Sequence, residues 1–308
     1  MQRSEASAAL GDDVVGIVLT FNSADVIEST LRAVQCVSHH VVVVDSGSSD
    51  GTAELAERLG CHVARRAFKN YADQRNWAIS EFGARHSWQL HVDADEILDP
   101  TAIRAIRTAV RSPGRASGFL IRRRTYFMGR LLRFGGTTTW HLRLFRSDAG
   151  RCEDRLYDQH FKCDGPTARL TGYLHDMNVG GISEWTAKHN RWADMEADEL
   201  SRSNSAEGQI GSRLFGDDPR ERRRYYKNRY YRAPLVLRPI AYFFIRYFFQ
   251  LGFLDGRIGL LYAILQGLWF RMLVDAKLME RQFPAIPPEI SRLAPAPLSE
   301  DPAAPQRA

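Results

Sequence analysis

Short apolar runs alternate with amphipathic segments along the first half of the chain. The runs at 14–20 and 40–46 are rich in β-branched residues, with nearly continuous apolar stretches at 14–19 and 41–44, which is typical of strands buried on both faces. Between them, Ile27, Leu31 and Val34 recur at helical spacing, and a second amphipathic helix is predicted after the second run. This alternation predicts an α/β domain built on a mostly parallel sheet flanked by helices.

The same alternation continues to about residue 200. Further strands are predicted in CHVARR, SWQLHVDADE, SGFLIRRRTYF and TWHLRLFRS, and further helices in YADQRNWAISEFGA and SEWTAKHNRWADMEADEL. Asp99 is the predicted N-cap of another helix, with Pro100 at its first position. In such sheets a ligand lies beyond the carboxyl ends of the strands, where Asp45 and the acidic stretch DADE are found.

Composition marks the predicted domain boundaries. Seven of the 13 prolines lie after Phe283, which is typical of a disordered segment. The chain is predicted to contain a flexible N-terminus, an α/β domain, a basic and aromatic linker, an amphipathic helical module and a disordered Pro/Ala-rich tail, at residues 1–12, 13–205, 206–233, 234–283 and 284–308.

The apolar region from Pro234 to Phe283 invites a test for a membrane span. Its longest uncharged run, at 258–270, is shorter than the roughly 20 residues that a spanning helix needs. Aromatic apolar helices beside the Tyr- and Arg-rich block at 220–232 favour interfacial association with an anionic membrane surface. A helical subdomain packed on the α/β domain, or on a second subunit, is the alternative.

The net charge of +6 is concentrated in the block at 220–232, which contains a single acidic residue, Glu221. Such a block predicts a surface for anionic groups: phospholipid, nucleic acid or a phosphorylated substrate. The four cysteines lack CxxC spacing and are typical of reduced thiols, and the first residues contain no apolar signal segment. A location on the cytoplasmic side is therefore expected.

The acidic stretch DADE follows a predicted buried strand. Asp93 and Asp95, two residues apart at a strand end, can share one divalent cation through hard oxygen ligands, which suits Mg²⁺ or Mn²⁺. Such a cation commonly binds phosphate oxygens, so a diphosphate partner is implied. An acid/base pair is the alternative, and Asp99 is explained by helix capping alone.

The stretch VDSGSSDGT places Asp45 at a strand end and Asp50 at the start of a helix. Backbone amides in this turn and at the helix start are suited to an anion or a nucleotide. The same residues also make a good generic loop between a strand and a helix. The conjunction of TFN, DSGSSDGT, QRN and DADE after successive elements is more specific than any one of them.

With these four stretches, residues 13 to 200 resemble family-2 glycosyltransferases of the GT-A fold, in particular the bacterial branch that builds lipopolysaccharide cores and other envelope glycans. GFLDGRIGLLYA, at 252–263, also resembles the C-terminal segment of that branch. The resemblance implies transfer of a sugar from a nucleotide-diphosphate donor, with inversion and a divalent metal. It also implies a glycan or lipid-linked acceptor.

The resemblance also assigns site residues. Thr20 and Asn22 would border the base and ribose pocket, Asp45 would contact the base, and Arg75 would help to hold the nucleotide. The pair Asp93 and Asp95 would bind ribose and metal, with Asp95 the usual direct ligand. In one departure from the pattern, Ser23 stands where many relatives carry an acidic residue, which puts one ribose or base contact in doubt.

Inverting transfer needs a general base for the acceptor hydroxyl. The predicted source is CEDRLYDQHF, at 152–161, where Asp158 is favoured, Asp154 is second and Glu153 is a further candidate. Each of these carboxylates is equally well explained by a surface or ion-pairing role.

A further pattern bears on processivity. KHNRW resembles the Q-x-x-R-W of processive members but carries Lys188 in place of Gln, which favours transfer of a single sugar.

The predicted function is therefore an inverting, metal-dependent glycosyltransferase that acts at the cytoplasmic face of a membrane. The alternatives are a nucleotide-sugar-binding protein without transfer activity and a metal-dependent phosphotransferase. Specific nucleic-acid binding is not expected.

Overall fold

The computed structural model describes residues 13–178, 180–201, 210–215 and 217–283, and its main element is a mixed β-sheet. The predicted N-terminal segment, the tail and part of the predicted linker lie outside the described residues. The strands are β1 (Val14–Thr20), β2 (His40–Asp45), β3 (His62–Arg65), β4 (Trp88–Asp93), β5 (Glu96–Leu98), β6 (Gly118–Phe127), β7 (Arg130–Leu131), β8 (Thr139–Arg146), β9 (Gly150–Cys152), β10 (Phe161–Cys163) and β11 (Thr167–Asp176).

The sheet has the strand order β3-β2-β1-β4-β8-β6-β11-β5, with β7 paired to β6. The pairs among β1 to β4 are parallel, as is the pair of β6 and β11, whereas β8 runs antiparallel to both of its neighbours. β9 and β10 form a separate two-stranded sheet. The predicted fold class, a mostly parallel sheet flanked by helices, is confirmed.

Four helices cover the two faces of the parallel half of the sheet, namely α1 (Ile27–Gln35), α2 (Thr52–Arg58), α3 (Tyr71–Gly83) and α4 (Pro100–Arg111). The apolar side chains of α1 and α4 pack with one face of β1, β2 and β4. On the other face, Ala78 of α3 packs against Ile17 and Val44. Because β1 and β2 are buried on both faces, their sequences are almost continuously apolar.

The N-cap predicted at Asp99 is present. Its Oδ1 accepts a hydrogen bond of 2.7 Å from the backbone N–H of Ala102, and Pro100 occupies the first turn of α4. The other carboxylate oxygen accepts from the N–H of Tyr173 in β11 at 3.1 Å. Asp99 therefore joins a helix start to a strand and is fully explained by structure.

The second half of the chain is helical. Its elements are α5 (Ile182–Ser201), α6 (Pro219–Tyr231), α7 (Leu237–Phe244), a π-helical turn (Ile245–Phe249), a 3₁₀ turn (Gly252–Asp255), α8 (Gly256–Tyr262), a second π-helical segment (Ala263–Trp269) and α9 (Phe270–Glu280). Phe270 and Val274 of α9 pack on Ala193 of α5, and Phe127 of β6 packs with Trp185 of α5, which attaches the helices to the α/β domain.

The helical stretch from Gly252 to Glu280 is long and apolar enough to cross a membrane, judged by length and composition alone. The uncharged run at 258–270, which was too short by itself, is thus part of a helical stretch of 29 residues. A third of its most apolar window is buried within the protein, and further residues of the stretch, such as Ile258 and Leu265, are partly buried against Phe127 and Trp185.

The block at 220–232 differs from the predicted linker because it is the helix α6. Arg220 and Arg224 are buried, at 6% and 5% exposure. Arg224 donates to Glu153 at 2.7 Å, and Arg220 donates to the backbone carbonyl of Phe161 at 2.5 Å. Part of the positive charge therefore binds this helix to the 153–161 segment and is not available to an external anion.

An ion pair between α7 and α9 provides a test of what holds the helical half together. Asp275 is fully buried and pairs with Arg238, itself 4% exposed, at 2.5 Å, and its other oxygen accepts from the N–H of Val236 at 2.8 Å. Asp275→Ala leaves the Arg238 guanidinium buried and unpaired, so we expect a loss of about 3–5 kcal/mol in the free energy of unfolding.

Urea denaturation followed by circular dichroism measures this loss. The matched control is Asp198→Ala, which removes an exposed ion pair with Arg281 and is expected to cost about 0–1 kcal/mol. Equal midpoints for the two variants would contradict the role given to Asp275.

Candidate functional site

The carboxyl ends of β1, β2 and β4 meet at one edge of the sheet. Thr20 lies opposite Asp45 across β1 and β2, and Leu19 lies opposite Asp93 across β1 and β4. The residues predicted for nucleotide and metal binding are therefore brought together here. Parallel pairing is the cause, since it places all three strand ends at the same level.

The loops after β1 and β2 are hydrogen-bonded to each other. Asn22 Oδ1 accepts from the N–H of Ser49 at 2.9 Å, and the N–H of Asn22 donates to Ser48 Oγ at 2.8 Å. Asn22 takes a left-handed backbone conformation, with φ of 46°, which Asn tolerates better than most residues. The predicted nucleotide residue Asn22 thus also shapes the rim of the site.

Asp45 is 1% exposed and holds the turn that follows β2. One carboxylate oxygen accepts from the N–H groups of Gly47 and Ser48 at 3.0 Å each, and the other accepts from Ser48 Oγ at 2.5 Å. By contrast, the Oγ1 of neighbouring Thr20 is buried and has no hydrogen-bond partner in the described part of the chain. Asp45 therefore stabilises the turn, and its contact with a base stays a prediction. Thr20 has a hydroxyl at the strand end that is free of protein partners in the described part of the chain.

Asp93 lies between two arginines from different parts of the chain. Arg75 of α3 donates to both carboxylate oxygens, at 3.0 and 3.2 Å, and Arg143 of β8 donates to Oδ2 at 3.1 Å. Burial opposes ionisation of this carboxyl, but the two guanidinium groups outweigh burial and hold the pKa of Asp93 well below its usual range. Both oxygens of Asp93 are therefore occupied by arginine.

Glu96 extends this network into the interior. The carboxylate is 1% exposed, accepts from Arg143 at 2.5 Å and from the N–H of Asp93 at 3.1 Å, and lies 3.7 Å from Arg123 of β6. Burial dominates and raises the pKa of Glu96 to about 7, despite the neighbouring arginines. Glu96 is thus an internal anchor for the arginines and is not solvent-facing.

Asp95 differs from both neighbours. It is half-buried, and its carboxylate makes no hydrogen bond or ion pair with any residue that the structure describes, while its backbone carbonyl accepts from the N–H of Met177 at 2.9 Å. A free carboxylate beside a strand end is a suitable hard ligand for Mg²⁺ or Mn²⁺. Of the two carboxylates that are predicted to share a cation, Asp95 is therefore the one whose oxygens are free of protein partners in the described part of the chain.

Within the described ranges, no group of three or more His, Cys, Asp and Glu side chains is arranged to hold a metal ion. A divalent cation at Asp95 would hence take most of its ligands from phosphate oxygens and water. That donor set fits a cation that arrives with a diphosphate, and does not fit a permanently bound structural metal.

Three residues outside the predicted set complete the site: Arg123, Asp176 and Lys188. Asp176, at the end of β11, lies 3.6 Å from Arg123, and burial raises its pKa to about 6. Burial lowers the pKa of Lys188, but nearby carboxylates, above all Asp95, more than offset this effect and leave the pKa above its usual value. The site thus contains several cations facing several carboxylates.

The predicted general-base segment follows β9 and is attached to α3. Asn76, the neighbour of Arg75, exchanges two hydrogen bonds with the backbone of Cys152, at 2.8 and 3.1 Å. Glu153 is buried and accepts from Arg224, from the N–H of His160 and from the N–H of Ile210. It is therefore an internal ion-pair partner.

The two aspartates of this segment differ in their partners. Asp158 accepts a hydrogen bond from Lys227 at 2.8 Å. Burial raises the pKa of Asp158, but Lys227 and other cations outweigh burial and hold that pKa well below its usual value. Asp154 is exposed, and its carboxylate makes no hydrogen bond or ion pair with the described residues. Of the three predicted candidates, Asp154 has the carboxylate that is free to accept a proton.

His141 and Arg143 alternate with Leu142 along β8, and Arg143 lies in the site. The sequence alone does not distinguish a ligand role for Arg143 from that of an outward-facing cation of a strand. It also does not point to Arg123 and Asp176, which lie at mid-strand and strand-end positions far along the chain. The only signal for them was an unusual density of Arg in otherwise apolar strands, in LIRRRTYF and LRLFR.

Comparison with known proteins agrees with this geometry. Residues 17–166 match the model of the glycosyl transferase family 2. A lipopolysaccharide core biosynthesis glycosyltransferase, LpsC of Rhizobium meliloti, is 25% identical over 244 residues, which cover 73% of this chain and 80% of the relative. An uncharacterized glycosyltransferase of Rickettsia bellii is 35% identical over 92 residues, which span only 31% of that relative.

Among solved structures, Staphylococcus aureus TarS 1–349 is similar with a TM-score of 0.41 and 14% identity, over 88% of this chain and 92% of that one.

The family match and the similarity to LpsC define the class of protein, which is an enzyme that transfers glycosyl groups. Residues 17–166 form a family 2 glycosyltransferase domain.

Because Asp93 and Asp95 have different surroundings, we expect substitutions at the two positions to affect stability and metal binding differently. Asp95→Asn removes no contact within the described structure, so we expect a change of less than about 0.5 kcal/mol in the free energy of unfolding. The same variant is expected to lose Mn²⁺ binding in the presence of nucleoside diphosphate, measured by electron paramagnetic resonance.

Asp93→Asn is the matched comparison. It leaves the Arg75 guanidinium without its carboxylate and Arg143 with Glu96 alone, so we expect a loss of about 2 kcal/mol or more in the free energy of unfolding, measured in denaturation experiments. If Asp95→Asn destabilised the protein as much as Asp93→Asn, the division of roles between the two carboxylates would be wrong.

Proposed function

We propose that this glycosyltransferase moves a single sugar, with inversion, from a nucleotide-diphosphate donor to a lipid-linked or lipopolysaccharide-type acceptor at the cytoplasmic membrane face. The observation that carries the proposal is the edge of the sheet, where one free carboxylate, Asp95, lies beside the arginine-held Asp93. The similarity to a lipopolysaccharide core glycosyltransferase over most of the chain supports this acceptor class.

On the donor side, the free hydroxyl of Thr20 and the joined loops after β1 and β2 border the place for the nucleoside. Arg75 and Arg143 hold Asp93 in a fixed position, with its oxygens available for additional hydrogen bonds from ribose hydroxyls. Asp95 would hold Mg²⁺ or Mn²⁺, which when bound neutralises charge on the departing diphosphate. The cation is part of the proposal and follows from the free carboxylate.

On the acceptor side, the helical module reaches the site. Tyr262 of α8 is half-buried, the charges of Arg123 and Asp176 act on its hydroxyl, and its ring centre lies 5.3 Å from that of Phe127. An acceptor anchored in a lipid surface would therefore approach along the same side as the module. An acceptor that is bound to a membrane can reach the site only if the membrane-binding surface and the site lie close together, and the helical module satisfies this condition.

Inversion requires a base that removes the proton of the acceptor hydroxyl as it attacks the anomeric carbon. A carboxylate already paired with an ammonium group accepts a proton less readily than a free one. We therefore assign the base to Asp154 in preference to Asp158, because Lys227 occupies Asp158. Glu153, buried against Arg224, has a structural role.

A direct transfer assay tests the function. Purified protein, lipopolysaccharide-core acceptors in anionic vesicles and labelled UDP-, GDP- and dTDP-sugars should yield labelled acceptor with one added sugar and inverted configuration when Mn²⁺ is present. Asp154→Asn is expected to lower the rate by about 10²–10⁴-fold, the usual contribution of a general base.

The controls of the same assay are Asp198→Asn, an exposed aspartate of α5, and Asp158→Asn. Nucleotide-sugar binding without transfer on any acceptor would favour the alternative of a binding protein. If Asp158→Asn lowered the transfer rate more than Asp154→Asn did, Asp158 would be the general base and the assignment to Asp154 would be wrong.

The membrane part of the proposal depends on the outer face of the helical module. Large apolar side chains are exposed there, among them Leu237, Phe244, Phe248, Phe249 and Leu254, with Phe249 81% exposed. Contiguous apolar surface of this kind marks an interaction site. Together with the exposed arginines of α6, it fits the interface of an anionic bilayer.

Vesicle co-sedimentation tests this surface. The double variant Phe248→Glu/Phe249→Glu is expected to bind phosphatidylglycerol-containing vesicles at least tenfold more weakly while it keeps its donor affinity, because both residues lie outside the donor site. Phe215→Glu, which changes a 93% exposed aromatic residue outside the module, is the control. Unchanged vesicle binding in the double variant would contradict the assigned surface.

A further inference from the structure

Three arginines lie over two aromatic rings on one face of the mixed half of the sheet. The guanidinium carbon of Arg122 in β6 lies 5.0 Å from the ring centre of Trp140 in β8 and 5.4 Å from that of Tyr173 in β11. Arg124 lies 3.3 Å from the ring centre of Tyr173. Arg169 lies 5.4 Å from that of Trp140. We call these five residues the arginine–aromatic face.

Strand pairing explains why these side chains meet. Arg122 lies opposite Trp140 on one side and opposite Tyr173 on the other, so the three residues form one row across β8, β6 and β11. Successive side chains of a strand point to opposite faces of the sheet, so Arg122 points away from Arg123, which pairs with Asp176. The arginine–aromatic face therefore lies on the reverse of the strands that contribute Arg123 and Asp176 to the candidate site.

The three arginines of this face have no counter-charge within the described part of the chain. None of them makes an ion pair with a described carboxylate, and Arg169 donates instead to the backbone carbonyl of Asp217, at 3.0 Å. Arg122 and Arg169 are exposed, and Arg124 is half-buried. Stacking on a ring holds a guanidinium plane in place and leaves its N–H groups available to carboxylate or phosphate oxygens. The face thus presents three ordered positive charges to an anionic partner.

The composition of the face favours one class of anionic partner. β6, β8 and β11, which the structure describes in full, present no exposed large apolar side chain, so a lipid chain finds no contact there. Trp140 and Tyr173 are half-buried beneath the guanidinium groups, which prevents their rings from stacking on nucleic-acid bases. A negatively charged glycan needs neither contact, because guanidinium groups bind its carboxylate or phosphate oxygens directly.

We propose that the arginine–aromatic face binds an anionic glycan, namely a negatively charged part of the acceptor beyond the sugar that receives the new residue. This inference rests on the proposed function, since it takes a glycan acceptor as the ligand. Tyr173 lies three residues before Asp176 in β11, roughly 10 Å along the strand. One extended acceptor therefore contacts both the face and the candidate site, and the face selects acceptors by their charge.

Binding of charged and neutral glycans tests the face without any need for sugar transfer. The probes are hexagalacturonate and its carboxyl-reduced product, which has the same chain and no charge, titrated calorimetrically into the full chain. The wild-type protein should bind the charged hexamer at least tenfold more tightly than the neutral one, because only the charged hexamer pairs with the arginines. The double variant Arg122→Gln/Arg169→Gln should lose this difference.

The matched control is Arg58→Gln/Arg111→Gln, which removes the same charge from exposed positions of α2 and α4 and should bind the charged hexamer as the wild type does. Because Arg122 is exposed, Arg122→Gln alone repeats the test if the double variant fails to fold. If the double variant melted at a lower temperature but bound the charged hexamer like the wild type, the face would be structural and the proposal wrong. Equal binding of the two hexamers by the wild-type protein would also overturn it.

Two further titrations separate a glycan from other anionic partners. Phosphatidylglycerol vesicles and single-stranded (dT)₂₀ should bind the double variant and the wild type within twofold of each other. A loss for either of these probes in place of the hexamer would assign the face to lipid or nucleic acid and overturn the proposal.

Failure of this proposal is distinguishable from failure of the proposed function. A protein that binds the charged hexamer through this face but transfers no sugar would contradict only the proposed function. Sugar transfer by a protein with no preference for the charged hexamer would contradict only the role of the arginine–aromatic face.

Discussion

The pairing of Asp93 with Arg75 and Arg143 is the interaction on which the site depends. It joins the end of β4 to α3 on one side and to β8 on the other, so that three elements distant in sequence converge on one carboxylate. Glu96 binds the same Arg143 from within the core, which keeps that guanidinium from moving toward solvent. Both oxygens of Asp93 accept hydrogen bonds from these arginines, whereas the carboxylate of its neighbour Asp95 has no partner among the described residues.

A second set of buried charges joins the helices of the helical half to one another and, through Glu153, to the α/β domain. Glu196 of α5 is paired with Arg271 of α9 and lies near Lys227 of α6, and it accepts a hydrogen bond from the Tyr231 hydroxyl. Glu153 and Arg224 connect α6 to the loop beside α3. Such pairs gain little net free energy over apolar packing, but they restrict how the helices can be arranged.

The module and the site are also joined through the loop after β7. Asp255 accepts from the backbone N–H groups of Arg133 and Phe134 at 2.9–3.1 Å, and Arg246 donates to the carbonyl of Gly135 at 2.6 Å. This loop connects the β6–β7 hairpin, which carries Arg123, with β8, which carries Arg143. The helical module is therefore in direct contact with the loop between the two strands that carry Arg123 and Arg143.

The sequence by itself determined the α/β class, the strand ends at Asp45 and Asp93, and the cap at Asp99, because burial on both faces and capping are local patterns. The four stretches after successive elements also determined the enzyme family. Only the tertiary structure decided that Asp93 is paired with arginines while Asp95 has no partner among the described residues. It also decided that the basic block is a partly buried helix, and that Arg123 joins Glu96 to Asp176. The physical reason is that the partners of a charged side chain come from elements far apart in sequence, and a carboxylate has the same local pattern whether it meets an arginine, a cation or water.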